Sequence, residues 1–458
     1  MRHIHLIGIG GSGMSAIARL LLEEGYTVSG SDRADSSFID DLRKLNATIS
    51  IGHDPANITG ADLIIQSSAI PEDNPEITAA IEKGIPVLKR AEFLGSLMVG
   101  KTGVGIAGTH GKTTTSAMLA WVLTELKQDP SYILGGVMNN LGVNAHFGQG
   151  DVFVIEADEY DRMFLGLNPK IEVITNVEHD HPDCYPTIES FLDAFKSFVA
   201  LLDEKGRLIL NGNDKNAAIL AKEAAKKNIP VTLFGIPHEN SPDLDIFASD
   251  MAVNTQGGFS YSTSINQDKR VVHLQVPGIH NVVNSLAVLS VIDFLKLPLD
   301  NAIKALANFQ GTARRFEVCG EYNGITLIND YAHHPTEIRA TLAAAKSRYP
   351  NHKVWAVWQP HTYSRTQLLI SEFSNSFQDA DHVIVTEIFA ARELKKEFSS
   401  SKVVAMMDHP DACFIAEIND VAGTLINELK PGDILLVLSA GDADQICNLI
   451  MNHYRKMR

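Results

Sequence analysis

The sequence predicts an α/β protein of three domains, each built on a largely parallel sheet wound with helices. Three observations predict it. Short apolar strands alternate with stretches of helical apolar spacing along the chain. Two glycine-rich turns, at Gly8–Gly13 and Gly108–Gly111, each lie between a strand and a helix. At 458 residues the chain is too long for one hydrophobic core. The expected architecture is a Rossmann-like N-terminal domain (1–100), a central P-loop ATPase-type α/β domain (101–313) and a C-terminal doubly wound α/β domain (314–458).

The first element is a strand over His3–Ile9 that runs into Gly8-Ile9-Gly10-Gly11-Ser12-Gly13. Helical spacing from Met14 to Glu24 and a second strand reaching Asp32 complete the dinucleotide-binding fingerprint. Read alone, it predicts NAD held through Asp32 and a ribose. A glycine turn at a helix N-terminus cradles any diphosphate, however, including that of a nucleotide sugar, so both ligands fit these residues. Strands at Leu63–Ser67 and Ile85–Leu88 extend the domain to Gly100.

The central domain opens with Gly-Val-Gly-Ile-Ala-Gly-Thr-His-Gly-Lys-Thr-Thr-Thr (103–115). Val104–Ala107 is a strand, and Lys112 starts a helix. Backbone N–H groups at Gly108, Thr109 and Gly111 can crowd a phosphate, with Lys112 reaching its outer oxygens and Thr113 holding a magnesium ion. The standard spacing is incomplete, because the first glycine position falls on Ile106; the strand–loop–helix context carries the assignment. Strands at Ser131–Leu134, Asp151–Glu156 and Ile171–Asn176 end in polar residues, where open parallel sheets bind ligands. Glu156 and His181, each ending or following an apolar strand, are expected metal ligands; His179 is expected to serve structure only.

Residues 237–270 are polar with one alternating stretch, Phe259–Ile265, and read as a strand-rich excursion along an edge. Asn281 and Asn284 sit three apart at a helix start, on one face, where amides can read a base edge. The C-terminal domain begins after Ala313 with strands Phe316–Gly320 and Ile325–Asn329. Asp330-Tyr331-Ala332-His333-His334-Pro335 leads into a helix running to Ser347, with Pro335 in its first turn. Strands Val354–Trp358, His382–Thr386 and Ile434–Leu438 follow. Polar clusters at 359–366 and 439–442 again fall at strand ends, as in a working cleft.

Composition excludes several classes. Lys+Arg 39 against Asp+Glu 55 gives a net charge of -16 with no basic run, which argues against sequence-independent nucleic-acid binding. The four cysteines are scattered without a Cys-x-x-Cys pair, as in a reducing cytoplasm. The apolar stretch Ile4–Leu22 is interrupted by Gly8, Gly10, Gly11, Gly13 and Arg19, and no run approaches membrane-spanning length. The expectation is a cytoplasmic protein with no membrane and no nucleic-acid partner, either a monomer or a weak homodimer. Two other classes fit parts of the residue pattern: a nicotinamide-dependent oxidoreductase and a non-catalytic nucleotide-gated module.

Taken together the motifs resemble the Mur ligases. The resemblance rests on Gly-Ile-Gly-Gly-Ser-Gly-Met-Ser (8–15), Gly-Thr-His-Gly-Lys-Thr-Thr-Thr (108–115), Glu-Ala-Asp-Glu (156–159) and His-Asn-x-x-Asn (280–284). It extends through Arg-Arg-Phe (314–316), Asp-Tyr-Ala-His-His-Pro-Thr-Glu (330–337) and Gln-Pro-His (359–361), in the family's order and over nearly the whole chain. It implies an ATP-dependent ligase that joins L-alanine to the carboxylate of UDP-N-acetylmuramate through an acyl phosphate, in peptidoglycan precursor synthesis. The family's alternative attaches a preformed alanyl-glutamyl-diaminopimelate tripeptide, and Tyr160 after Glu-Ala-Asp-Glu is similar to those members. The start at 8–14 is similar to the alanine-adding ones.

The resemblance also implies roles. Gly8, Gly10, Gly11, Ser12, Gly13, Met14, Asp32 and Ser67 would hold the UDP sugar. Gly108, Thr109, Gly111, Lys112, Thr113, Thr114, Asn281, Asn284, Arg315 and Asp330 would hold ATP. Thr113, Glu156 and His181 would bind Mg2+ (or Mn2+), and Tyr331, His333, His361 and Arg365 would line the amino-acid pocket. Lys112, His181 and Arg315 would carry the chemistry, by neutralising converging anions. Thr362 stands where some members have Arg, which shifts carboxylate recognition onto Arg365.

Overall fold

The computed structural model describes residues 2–239 and 241–456. Three sheets organise them. The first contains β1 (His3–Ile7), β2 (Thr27–Asp32), β3 (Thr48–Ile51), β4 (Leu63–Gln66) and β5 (Val87–Lys89) in the order β3-β2-β1-β4-β5. All its pairings are parallel, and the order reverses at β1, directly above the first glycine turn. Buried Leu6, Ile7, Ile64 and Ile65 form its interior, with Ile17, Leu20 and Leu21 of the helix Ser12–Glu24 also buried.

The second sheet is larger than the sequence reading anticipated. It includes β6 (Thr102–Ala107), β7 (Ser131–Met138), β8 (Val143–His146), β9 (Val152–Glu156), β10 (Ile171–Ile174), β11 (Arg207–Asn211) and β12 (Val231–Gly235). Their order is β12-β11-β10-β6-β9-β7-β8, parallel throughout except for the β7–β8 hairpin. Phe234 and Gly235 at the β12 edge pair with Ile246 and Phe247, the start of β13 (Ile246–Val253). The helix Lys112–Glu125 is buried along most of its length, as a helix inside a parallel-sheet domain must be.

The polar excursion is strand-rich, as expected. β14 (Phe259–Ile265) and β15 (Asp268–His273) form an antiparallel hairpin closed by Asn266 and Gln267, both at positive φ (54° and 70°). Two positive-φ residues make the turn whose twist suits a two-residue hairpin.

The third sheet holds β16 (Glu317–Tyr322), β17 (Ile325–Asp330), β18 (Val354–Gln359), β19 (His382–Val385), β20 (Ala412–Phe414) and β21 (Ile434–Ser439). Its order is β16-β17-β21-β18-β19-β20, and only β16 is antiparallel to its neighbour. Separate apolar clusters lie on its two faces: one includes Leu342, Trp358, Phe373 and Leu436, the other Leu327, Val357, Leu425 and Ile450. The domain is doubly wound.

By contact density the chain forms two compact units. One contains the residues up to Glu178 together with Glu189–Phe247 and Ser285–Ala305; the other contains His179–Ile188, Ala248–Asn284 and everything from Leu306 onward. The segment His179–Ile188, which directly follows the strand-end cluster after β10, thus packs with the third sheet. No helix among the described residues is long and apolar enough to cross a membrane.

Candidate active site

In the first unit, the glycine turn after β1 is tied down from below. Gly8 and Ile9 donate their N–H groups to the carbonyl of Ser31, and Gly10 N–H donates to Asp32 Oδ2 at 2.9 Å. Asp32 therefore shapes the loop through one oxygen while its other accepts from Arg33 N–H at 2.7 Å. Ser67 lies against Gly8, and Met14 is buried beneath the turn. An unanticipated cation reaches the same place. A Cβ on Gly13 would sit 2.1 Å from Nη1 of Arg90, whose Nη2 pairs with Asp158 at 3.3 Å. Lys89-Arg90, the last residue of β5 and the one after it, was the available sequence signal: a charged pair at the carboxyl end of a parallel strand.

The second glycine turn follows β6. Gly108 has φ 132°, and a Cβ there would lie 2.1 Å from the Thr175 hydroxyl, so only glycine fits. Side chains at the exit of β10 fasten the loop: His110 N–H donates to Asn176 Oδ1, and the hydroxyl of Thr109 donates to the carbonyl of Glu178 at 2.8 Å. Thr114 follows Thr113 in the first turn of the helix. Lys112 folds back over the loop, donating to the carbonyls of Gly108 and Thr109 and to Glu159 Oε1 at 2.9 Å. Burial opposes the lysine's charge, but the carboxylates of Glu159 and Glu156 outweigh it and raise its pKa. Glu159 is itself 1% exposed and is a functional candidate the sequence reading passed over.

Thr113 and Glu156 are in contact. The threonine hydroxyl donates to Glu156 Oε1 at 3.1 Å, and Gly135 N–H donates to Oε2 at 2.8 Å. A hydroxyl and a carboxylate side by side at a phosphate loop form a hard-oxygen set of the kind magnesium prefers.

The second unit gathers the remaining predicted residues. His181 has φ 53°, a strained conformation for a non-glycine residue, and its N–H donates to Asp180 Oδ1 at 2.7 Å. His179 is hydrogen-bonded through Nε2 to the carbonyl of Tyr185 at 2.8 Å. Asn281 and Asn284 do share a face: Asn284 Nδ2 donates to Asn281 Oδ1 at 3.1 Å, and both are buried. Asp330 accepts from Phe316 N–H and Ala332 N–H at 2.8 and 2.7 Å. Burial pushes its carboxyl up to about 6 against the pull of Arg315.

Arg314 and Arg315 both lie over the ring of Tyr331, at 5.0 and 5.1 Å. Arg315 also approaches Glu337 Oε1 at 3.5 Å. Tyr331, His333 and His361 form a chain of edge-on rings with centroids 5.4 and 5.8 Å apart. His361 stacks on Phe389, and its Nδ1 accepts from Arg365 Nη1 at 3.1 Å. Burial keeps both histidines neutral, with values near 4 for His333 and about 2 for His361. Thr362 stands at φ 67°, ψ 145° immediately before the short helix Tyr363–Leu368 that carries Arg365. Glu393 caps that helix, accepting from Tyr363 N–H at 2.6 Å.

The chain matches three family models in succession. "Mur ligase family, catalytic domain" covers residues 3–102, "Mur ligase middle domain" 106–292 and "Mur ligase, glutamate ligase domain" 314–441. The chain belongs to the Mur ligase family. Among similar members, a UDP-N-acetylmuramate–L-alanine ligase of Clostridium acetobutylicum is 41% identical over 456 residues, covering 98% of each chain. A ligase of the same name from Nitratidesulfovibrio vulgaris is 39% identical over 454 residues, covering 97% of each. The crystal structure of a UDP-N-acetylmuramate–alanine ligase from Thermotoga maritima superposes with TM-score 0.83 at 28% identity, covering all of both chains. A murein peptide ligase of Psychrobacter arcticus shares the fold, with TM-score 0.73 at 24% identity and coverage of 99% and 98%. The three-domain α/β architecture is thus that of the Mur ligases, and a nicotinamide-dependent oxidoreductase is not supported.

Proposed function

We propose that the chain is an ATP-dependent ligase that forms an amide between L-alanine and the carboxylate of UDP-N-acetylmuramate, releasing ADP and phosphate. The observation that carries this reading is a phosphate loop in which Lys112 pairs with Glu159 and Thr113 with Glu156, in a chain 41% identical over nearly its whole length to an alanine-adding relative. The tripeptide-adding alternative is represented by solved structures at 24% and 29% identity, below the 39% and 41% of the alanine-adding relatives.

In this reading residues 1–100 bind the sugar nucleotide, 101–313 bind ATP and 314–458 bind the amino acid. The turn Gly8, Gly10, Gly11, Ser12 and Gly13, with Met14, Asp32 and Ser67, cradles the UDP diphosphate, and Arg90 adds a counter-charge. Gly108, Thr109, Gly111, Lys112, Thr113 and Thr114 hold the ATP phosphates. Asn281 and Asn284 meet the base, and Asp330 meets the ribose. Thr113 and Glu156 would hold a magnesium ion and His181 a second; such ions supply positive charge to the phosphoryl oxygens.

An oxygen of the sugar's carboxylate attacks the γ-phosphorus of ATP, giving an acyl phosphate and ADP. The amine of alanine then attacks the acyl carbon, and the tetrahedral intermediate expels phosphate, which carries away the oxygen that came from the carboxylate. Lys112 and Arg315 neutralise the charge that builds during transfer, and no protein nucleophile is needed. Tyr331, His333, His361 and Arg365 receive the amino acid. A neutral His333 and His361 suit this, because a charged imidazole would repel the acceptor's ammonium.

Phosphate release in the presence of ATP, magnesium and UDP-N-acetylmuramate tests the reading. Release driven by L-alanine is expected. Release driven only by alanyl-glutamyl-diaminopimelate would replace the acceptor, and no release with either would remove the ligase assignment.

A further inference from the structure

Arg365 is 3% exposed, yet the protein occupies only part of its guanidinium. Nε donates to Asp180 Oδ1 at 2.8 Å, and Nη1 donates to Nδ1 and the carbonyl of His361 at 3.1 and 3.4 Å. Nη2 makes no hydrogen bond among the described residues. Because arginine has no acceptor, His361 Nδ1 must accept, which fixes that ring with its proton on Nε2. Phe389 and His333 pack against the same ring and hold its plane. Asp180 is 4% exposed and also accepts from His181 N–H, so its own orientation is set by the strained backbone beside it. A buried guanidinium gripped on one side and left with unmet donors on the other is arranged for an anion that arrives later.

We propose that Asp180 is the positioning residue for the acceptor's carboxylate site: by holding Nε of Arg365 it turns Nη2 toward the carboxylate of the incoming amino acid. This rests on the ligase reading above. Arginine's long side chain has many rotamers, and a carboxylate that selects one of them removes the ordering cost from the binding step. Asp180 lies 185 positions from Arg365 in sequence, in the short segment His179–Ile188 that packs with the third sheet. That segment has a second anchor, Asp183, which pairs with Arg392 at 2.7 Å; its charge also reaches Arg365, but it is not among the hydrogen-bond partners described for that guanidinium. The two aspartates thus separate positioning of the pocket arginine from attachment of the segment.

The test is steady-state kinetics on the full chain for the parent, Asp180→Asn and Asp183→Asn, with L-alanine and L-alaninamide as acceptors. The amide lacks the carboxylate that Arg365 would receive. The parent must first turn over L-alanine; if it does not, the ligase reading fails and not the positioning role. Asp180→Asn is expected to raise KM for L-alanine about tenfold, and to narrow the preference for L-alanine over L-alaninamide by a similar factor. Its KM for ATP and its magnesium requirement should stay within about twofold of the parent, which excludes an effect passed through neighbouring His181. Asp183→Asn, which removes a nearby charge but no described hydrogen bond of Arg365, should change the acceptor preference by no more than about twofold. The proposal is overturned if Asp180→Asn keeps the parent's preference between the two acceptors, or if Asp183→Asn narrows it equally. A thermal melt of each variant identifies simple unfolding; were Asp180→Asn unfolded, Arg365→Lys, which cannot be gripped at Nε, must narrow the same preference or the proposal falls.

Discussion

Lys112 and Glu159 form an ion pair at 2.9 Å in which the carboxylate is 1% exposed and the lysine side chain 14% exposed. The lysine that would meet the ATP phosphates is therefore already held, and incoming phosphate competes for it or joins it. Removing one partner leaves the other charged in a low-dielectric site. Lys112→Ala is expected to lower kcat at least a thousandfold and to cost about 3 kcal/mol of stability. Lys112→Ala combined with Glu159→Gln should recover much of the stability but none of the turnover. Thermal melts and phosphate release on the three proteins check both halves. A single variant that kept most of its activity would remove Lys112 from the phosphate site.

Gly13 and Arg90 make the sugar-nucleotide site testable without touching ATP. Gly13→Ala would put a methyl group 2.1 Å from Nη1 of Arg90, so the guanidinium must move. Gly13→Ala and Arg90→Ala are both expected to raise KM for UDP-N-acetylmuramate by about tenfold, leaving KM for ATP within about twofold. Equal effects on both substrates would mean that Arg90 only packs the domain.

How much of this could be read from the sequence depends on distance along the chain. The glycine turns at 8–13 and 108–111 were legible because a strand, a turn and a helix N-terminus are consecutive. Thr113 with Glu156 was legible because one opens the helix after the phosphate loop and the other ends a strand of the same parallel sheet. Asp180 with Arg365, and Glu159 with Lys112, are tertiary pairs: Lys112 and Arg365 were legible singly, but nothing local says which carboxylate each one meets. Of the strands that went unread, β20 and β3 are edge strands with no fully buried residue, so no apolar run marks them. β11, Arg-Leu-Ile-Leu-Asn after Gly206, did carry a signal in its apolar run bounded by turn residues. The role of Asp32 is another case: its spacing suggested a ribose contact, while the fold gives one of its oxygens to Gly10.

Glu76 anchors the first domain and should show in its acid stability. It is fully buried and accepts from Ser31 Oγ and Asn57 Nδ2, both at 2.6 Å, and from Asp54 N–H at 3.2 Å. Burial raises its pKa, but the hydrogen bonds from His5, Ser31 and Asn57 outweigh that and lower it from 4.5 to about 2. A depressed carboxyl contributes stability that is present above 4.5 and is lost as pH falls toward 2. Glu76→Gln is expected to lose about 1–3 kcal/mol at neutral pH and to flatten the acid limb of the stability profile. Denaturant melts from pH 7 to 3 check it; a variant with the parent's pH slope would show that Glu76 is not the group responsible.

The oxygen pair of Thr113 and Glu156 predicts a magnesium requirement located in this loop. Chelation should abolish phosphate release, and added magnesium should restore it. Glu156→Gln keeps the shape and the Gly135 contact but drops a charge, so the magnesium concentration for half-maximal rate should rise about tenfold or more. A variant with the parent's magnesium curve would move the ion elsewhere.

The most direct test of the central claim follows an oxygen atom. UDP-N-acetylmuramate labelled with 18O in its carboxylate is turned over with ATP, magnesium and L-alanine, and the released phosphate is examined by mass spectrometry. The account predicts one heavy oxygen in each phosphate, formed in step with the amide to alanine. Unlabelled phosphate, or labelled phosphate without alanyl product, would contradict it.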